Sequence, residues 1–447
     1  MLSTPLINLA RTTHTHRTPL AKSKSPKLSQ VNSKSKLRKN LLVIKSIGLK
    51  KSVLLPAAIV LVLTLKFLGY FLEVRIHTVK NHRLGHFATN TELSRLNSEK
   101  KRRASQRKQI NVYCCQTEEH CNFFLGKMWK RELFLIPAPL GQLVYDISKR
   151  AAPRSVLKST AVDTSGLLID SSSSLTFLDS EVQEGIEFLN NLEQTTGKGH
   201  VCLNVRDSAF LSQTKPIGWK KTRDWSYQDY RDSDIKTYVA AAETLAEKGY
   251  TVFRMGAMVN EPLVSKHSCV VDYATNGMRT EFLDVFLGAH CSFCISTGSG
   301  WDSIPIIFRQ PTLLVNHLPI FGLSVLTLPF VIHPKILLDE KFGEVLSLND
   351  LLRRNVLNCL NTSGYADAGV EIRDLSSEEL VEAVTEMAQR VEGTFVETPE
   401  QREMQAKLKH ILSTHPKLQP SPNYYPIRAQ FASCFLSRYP NFLDGLD

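Results

Sequence analysis

The sequence predicts an α/β protein with two open-sheet domains, and three observations carry that prediction. Apolar runs of strand length at 200–205, 250–255 and 292–296 alternate with stretches of helical periodicity. Each run stops at charged or Gly/Ser-rich residues: Arg206-Asp207 after the first, Gly256 after the second, Thr297-Gly-Ser-Gly300 after the third. The 447 residues exceed the usual size of one core, so two domains with appendages are expected. Ligands of open α/β sheets bind outside the strand carboxyl ends, which is where a site is to be sought.

Composition is that of a globular protein, 43% hydrophobic and 22% charged. A net charge of +12 would suggest a nucleic-acid partner if it were spread over the chain. It is not spread: residues 1–52 hold twelve Lys or Arg and no Asp or Glu, leaving 43 basic against 43 acidic residues elsewhere. The body is neutral and gives no electrostatic reason to expect DNA or RNA. The nine cysteines lack the spacing of a secreted disulfide scaffold, which favours buried thiols in a reducing compartment. His290-Cys291-Ser-Phe-Cys294 is half of a zinc pattern inside a stretch expected to be buried, so no metal ligands are assigned.

Taken in order, residues 1–52 read as a basic disordered tail, Ser- and Lys-rich with little apolar periodicity. Residues 53–73 read as a hydrophobic membrane anchor, long enough to cross a bilayer but interrupted by Pro56, Lys66 and Gly69. The positive tail before it favours residue 1 in the cytoplasm and the body across the membrane. Basic residues that follow, Arg75, Lys80, Arg83 and the run 100–103, blunt that asymmetry. An interfacial anchor, or a buried core helix, is compatible with the same stretch.

Residues 74–165 form a first α/β domain, with strands expected at 74–79, 110–115 and 132–136 and a helix at 88–99. Its first loop holds Arg83-Leu-Gly-His86. A polar linker covers 166–198, and the second domain runs over 199–395. Its clearest helix is 234–248, with Ser233 as cap and Gly249 as stop. Helices at 281–288 and 376–391 and a strand at 312–315 follow, and 396–447 reads as a helical cover.

Arg206 is the first candidate for chemistry, because a guanidinium at a sheet mouth can grip phosphate oxygens in a fork; an ion pair with Asp207 or a neighbouring loop would explain it as well. Thr297 to Gly300 offers hydroxyls and unhindered backbone N–H groups before a helix expected near Trp301, an anion site or else a tight turn. Asp272 follows the apolar residues 269–271 and would meet a base or ribose, or form a turn. Asp232-Ser-Asp234 has the shape of a metal motif, but capping of the helix it opens accounts for it. His86, Asn204, Arg254 and Glu281 gain interest from their places at strand ends or helix starts.

The series Asn204-Val-Arg-Asp-Ser208, Tyr230-Arg-Asp-Ser-Asp-Ile235, Gly249-Tyr-Thr-Val-Phe-Arg-Met-Gly256, Asp272-Tyr-Ala274, Ser296-Thr-Gly-Ser-Gly300 and Val315-Asn316, with Arg83-Leu-Gly-His86, Asn90 and Glu92 ahead of it, resembles a bacterial glycosyltransferase family of surface-polysaccharide biosynthesis. The match spans roughly residues 74–360 in order. The resemblance implies a GT-B-like fold, two Rossmann-like domains facing a cleft, the second similar to the fucosyltransferase-like group. It implies a nucleotide-diphosphate sugar donor held by Asn204, Arg206, Asp207, Arg254, Asp272, Ser296, Thr297, Gly298, Ser299 and Gly300. One departure stands out: Asn204 occupies a position where the family usually has His, and an amide cannot carry a proton near neutral pH.

The function expected is transfer of a sugar from that donor to a glycan or lipid-linked acceptor, without metal or other cofactor. Fixed donors would meet the leaving-group charge, and His86 would serve as base with Glu92 behind it. A nucleotide-sugar epimerase of the same architecture and an inactive nucleotide- or glycan-binding scaffold are the rivals. Free cysteines and a cytosolic donor favour a body on the cytoplasmic face; a type II arrangement with the body lumenal or outside is the alternative.

Overall fold

The computed structural model describes residues 29–160, 162–192, 197–213, 224–321, 326–415, 418 and 427–446. Of the tail expected over residues 1–52, residues 1–28 lie outside the described residues. The chain forms two compact units, Met1–Val53 and Leu54–Asp447. A helix occupies Ser29–Leu68, so residues 29–52 are helical rather than disordered as expected. The reason is local: 29–47 contains no Gly or Pro, and its Lys, Leu and Arg residues are good helix formers.

Within the second unit the first sheet has three parallel strands in the order β1 (Glu73–Val79), β2 (Gln109–Cys115), β3 (Leu135–Ile136). Helices Thr91–Ala104 and Phe123–Glu132 make the crossovers that parallel strands require. Strand alternation divides the core. Tyr113 and Cys115 pack with Leu125, Met128 and Trp129 of the second crossover helix. Val74, Ile76, Val112 and Cys114 pack with Val144 of helix Leu140–Ala151, and also with Ala58, Val62 and Leu65. These last three recur at i, i+4 and i+7, the stripe of a helix that covers a core. The stretch expected as a membrane anchor is thus in part a core helix of the first domain. Its remaining faces stay apolar and exposed, and Gly48–Leu68 is also long and apolar enough to cross a membrane.

Residues expected as a linker contain helix Asp179–Asn190, which rests on helix Glu281–His290 where Gly185 meets the Phe286 ring. The second domain then supplies β4 (His200–Asn204), β5 (Thr251–Arg254), β6 (Val270–Val271), β7 (Phe293–Ser296), β8 (Thr312–His317) and β9 (Val331–Pro334). An antiparallel pair, β10 (Ile336–Asp339) with β11 (Val370–Arg373), and a last strand, β12 (Gln430–Phe431), complete it. The seven-stranded sheet is parallel throughout, in the order β12-β9-β8-β7-β4-β5-β6. Residues 396–447 are therefore not wholly a helical cover, since β12 extends the sheet beside β9.

Both faces of this sheet are buried, which is why its strands read as continuous apolar runs. Val201 and Leu203 join one core with Leu313, Val315 and Leu245, while Cys202 and Cys294 join another with Phe253, Phe286 and Trp301. The helix expected over 234–248 is a 3-10 turn, Ile235–Tyr238, running into helix Val239–Glu247, and Asp234 rather than Ser233 caps it. Helix Ser377–Glu392 begins at the Ser376/Glu379 capping box and ends at Gly393 in the left-handed conformation.

Candidate functional site

Chain order reverses between β4 and β7. From β4 the sheet grows through β5 and β6 in one direction; from β7 it grows through β8 and β9 in the other. Connections leave opposite faces at such a switch point, opening a crevice beyond the two central strand ends. Asn204 and Ser296 are the partners in register at that point, and Thr297 N donates to the Asn204 carbonyl at 3.2 Å. The residues after them, Arg206 and Thr297 to Gly300, rim the crevice.

The rim is hydrogen-bonded into one piece. Asn204 Nδ2 donates to Ser299 Oγ at 2.7 Å and to Ser296 Oγ at 3.3 Å, and Arg206 N donates to Thr297 Oγ1 at 2.9 Å. Ser299 N and Ser296 Oγ donate to the Asp302 carboxylate at 2.8 and 3.1 Å. Burial pushes that carboxyl up to about 6 despite these donors. Gly298 has φ +83°, and a Cβ there would lie 2.9 Å from His317 Nδ1, so only glycine lets this turn close over the histidine. The helix expected near Trp301 is five residues, Ser303–Ile307, too short for its dipole to add much. Any anion held here is held by side chains and the turn.

The side chains that gather at the rim were only partly expected. Arg206 Nε lies 2.9 Å from Asp232 Oδ1, and its Nη2 donates to Gln228 Oε1 at 3.3 Å. The partner of Arg206 is thus not Asp207 but Asp232, on a neighbouring loop, the other ion pair the sequence allowed. Arg231 donates to the Gly298 carbonyl through Nη2, while its Nε is buried without a partner among the described residues. Burial, then the charge of Arg231, pull Arg206 below the ordinary guanidinium value. At the end of β8, His317 is buried with both ring nitrogens unpartnered among the described residues. Burial, reinforced by Arg231, lowers it to about 3, so it is neutral at pH 7. Nearby, Lys335 is buried and donates to the Asp232 carbonyl at 2.6 Å while pairing with Asp374 at 2.6 Å.

Two like-charged guanidiniums and a buried lysine gather around a neutral histidine, and among the described residues Asp232 pairs with Arg206 and Asp374 with Lys335, while Arg231 is paired with no carboxylate. Unmet donors and mutual repulsion are both relieved by an anion, and a diphosphate supplies several acceptor oxygens at once. Sequence reasoning passed over Arg231, His317 and Lys335. Asp232 was seen but explained as part of a helix cap. The one available signal was that each follows or ends a strand or turn on the carboxyl side of the sheet.

Other expected residues are engaged elsewhere. Arg254 is fully buried, with Nη1 3.2 Å from Asp272 Oδ1 and Nη2 donating to the Glu261 carbonyl. Asp272 Oδ2 accepts from Leu263 N at 3.0 Å, so this pair fixes the loop beyond β5 and β6. Asp207 accepts from Ala209 N at 2.9 Å and from Asn260 N at 2.8 Å, tying two loops together. Glu281 accepts from Phe123 N at 2.6 Å and so caps a first-domain helix.

The first domain reaches the rim through its loop. A Cβ on Gly85 would lie 3.3 Å from the Gly300 Cα and 3.3 Å from Ser303 Oγ, so the two loops abut backbone to backbone. His86 follows directly. Its Nδ1 lies 3.2 Å from Asn90 Oδ1, and the Asn90 amide nitrogen donates to Ser159 Oγ at 2.8 Å. That assignment leaves the Asn90 oxygen facing the ring, so Nδ1 carries the proton and Nε2 the lone pair. Burial lowers the His86 pKa, opposed by the Asn90 bond, and favours this neutral form. Glu92 is not behind His86 as expected. It is fully buried, pairs with Arg309 Nη2 at 2.6 Å and accepts from Ser174 N at 3.1 Å, which locks the first domain to the linker and the second.

The cysteines of the half zinc pattern lie in the core. Cys294 pairs in register with Cys202, and burial raises both thiols well above the usual range. Burial of this kind suits packing rather than thiolate ligation.

No protein-family model matches this chain, and no curated protein matches it. Among solved structures it is similar to the ADP-heptose lipopolysaccharide heptosyltransferase II of E. coli, at 12% identity over 71% of this chain and 100% of that one, TM-score 0.38. It is similar to a glycosyl transferase family 9 protein from Veillonella parvula DSM 2008, at 11% identity over 71% and 98%, TM-score 0.42. A third is the dodecameric iron-containing heptosyltransferase TibC, at 12% identity over 72% and 78%, TM-score 0.35. Likeness at this level carries no argument about substrate or reaction.

Proposed function

We propose that the chain is a glycosyltransferase that binds a nucleotide-diphosphate sugar with its diphosphate at the switch point between β4 and β7. The observation that carries this reading is the pair of close, half-buried guanidiniums, Arg206 and Arg231, beside the tight turn at Gly298. Their charge is fixed in place before any ligand arrives, which is what stabilises a leaving diphosphate without a cation. Asp232 pairs with Arg206 and would be exchanged for a phosphate.

His86 is proposed as the base. It sits beside the Gly85–Gly300 contact, is neutral, and presents Nε2 as the free lone pair, so it can take the proton of an acceptor hydroxyl as the sugar transfers. Asn204, standing where the resembling family has His, holds Ser296 and Ser299 by its amide, a positioning task that needs no titrating group. The acceptor is a glycan or a lipid-linked sugar.

The test is release of nucleoside diphosphate from a panel of nucleotide sugars, with lipid-linked and polysaccharide acceptors, comparing the wild type with His86→Ala. The variant should lose roughly 100- to 10,000-fold in turnover, the worth of a general base, while keeping its stabilisation by donor. Full turnover in the variant removes His86 from the reaction. Isomerised donor formed without acceptor would replace transfer by epimerisation, and stabilisation by nucleotide with no turnover on any acceptor would make the protein a binding scaffold.

A further inference from the structure

The part of the first helix that lies in the second unit, residues 54–68, has two unlike faces. Ala58, Val62 and Leu65 are buried in the core of the first sheet, while Leu63 and Phe67 on the outward side are 57% and 61% exposed. The chain then turns through 69–72, where Tyr70 and Phe71 are 73% and 67% exposed. The Tyr70 carbonyl accepts from Arg107 Nη2 at 3.0 Å, and Glu73 N donates to the Lys108 carbonyl at 2.9 Å. Two exposed aromatic residues therefore adjoin the loop that carries exposed Arg107 and Lys108, and Lys66 is exposed on the same helix. An apolar stripe ending in aromatics and Lys or Arg is the composition of a helix that lies at a membrane interface.

The helix cannot cross a bilayer while the first domain stays folded in water. Residues 58–68 lie along the sheet, about 16 Å at 1.5 Å per residue; of the helix before them only 48–57, about 15 Å, belongs to the apolar stretch, because 29–47 carries Lys34, Lys36, Arg38, Lys39 and Lys45, and the hydrocarbon is about 30 Å thick. Spanning would draw Glu73 and Arg75 into the hydrocarbon or pull Ala58, Val62 and Leu65 out of the core. Lying in the plane of the interface does neither. We propose that this face seats the protein on an anionic lipid surface, with the helix parallel to the membrane and the body kept on the side of its N-terminus. The cations select the occupant, since anionic headgroups complement Lys66, Arg107 and Lys108 where a neutral apolar partner would not. The proposal does not depend on the sugar-transfer reading.

The experiment is flotation of the full-length protein with sealed vesicles of phosphatidylcholine alone or mixed with phosphatidylglycerol. Comparison is made with Leu63→Ser/Phe67→Ser/Phe71→Ser, which changes only outward-facing side chains. Binding should rise roughly tenfold with the anionic lipid, fall with salt, and be lost in the triple variant with its melting temperature unchanged. Bound protein should be released by alkaline wash and stay open to protease added outside. Equal binding to both vesicles, or undiminished binding by the variant, overturns the proposal. So does protein that resists alkaline extraction with its body protected inside, which means spanning, and so does a salt-resistant dimer that ignores vesicles, which means a second copy covers the face. Should the triple variant misfold, Lys66→Glu/Lys108→Glu decides, since both side chains are exposed: it should lose the preference for anionic lipid, and a variant that keeps the preference, through the basic residues of 1–52, overturns the proposal.

Discussion

Arg206→Ala tests the donor site most directly. In the wild type the guanidinium is side-on to Asp232 and Gln228, and a diphosphate would take over those contacts. Hydrogen bonds to a charged group contribute about 1.5–3 kcal/mol each. Loss of a two-pronged contact, less the exchange of Asp232, comes to about 2.7 kcal/mol, or roughly a hundredfold in affinity. The assay is thermal unfolding of the full-length protein with nucleoside diphosphates. At about a hundredfold the dissociation constant the wild type gains about 2.7 kcal/mol. The variant at the same concentration stands near its own dissociation constant and gains only about 0.4 kcal/mol. At about 2–4 °C per kcal/mol, a shift of about 5–10 °C shrinks to about 1 °C. A variant that keeps the full shift, or a wild type that shifts with no nucleotide, refutes the placement of the diphosphate at this rim.

Two further outcomes concern stability. Glu92→Gln leaves Arg309 without its carboxylate at the junction of the two domains, and breaking a pair this buried costs about 3 kcal/mol; urea unfolding should show a lower midpoint, and Arg309→Gln added to it should cost little more. Asp302 has its folded value raised to about 6 from an ordinary value of about 3.9, so its contribution is fully present below about pH 4 and is lost as pH rises through about 6. Asp302→Asn, whose oxygen can still accept from Ser299 N, should gain on the wild type across that window by about 3 kcal/mol. A stability difference that is flat from pH 4 to 7 contradicts the raised value.

What the sequence revealed of this fold follows the range of each signal. The strands at β4, β5, β7 and β8 were legible because a strand buried on both faces is written as a short apolar run. Helix Ser377–Glu392, expected at 376–391, was legible to within one residue at each end, and the structure adds the Ser376/Glu379 capping box that starts it. β6 and β12 have two residues each, too few to show a period, and exist because a neighbouring strand offers an edge; β3 is as short, but lies inside the strand expected at 132–136. The site divides in the same way. Arg206 and Thr297 to Gly300 were found because they end strands. Asp232 as the partner of Arg206, His317 under Gly298 and Arg309 against Glu92 depend on contacts between residues up to 217 apart, which no local pattern encodes.

The placement of Ala58, Val62 and Leu65 bears on how this protein is to be produced. A stretch as apolar as 53–73 invites deletion before expression, on the view that the soluble part starts at residue 74. Such a shortened chain would bare Val74, Ile76, Val112 and Cys114 on one face of β1 and β2. Its aggregation would be read as proof of an integral membrane protein, when the cause would be a sheet deprived of its lid. Polar replacement at Leu63, Phe67 and Phe71, keeping the inner stripe intact, is the route to material that stays folded in water.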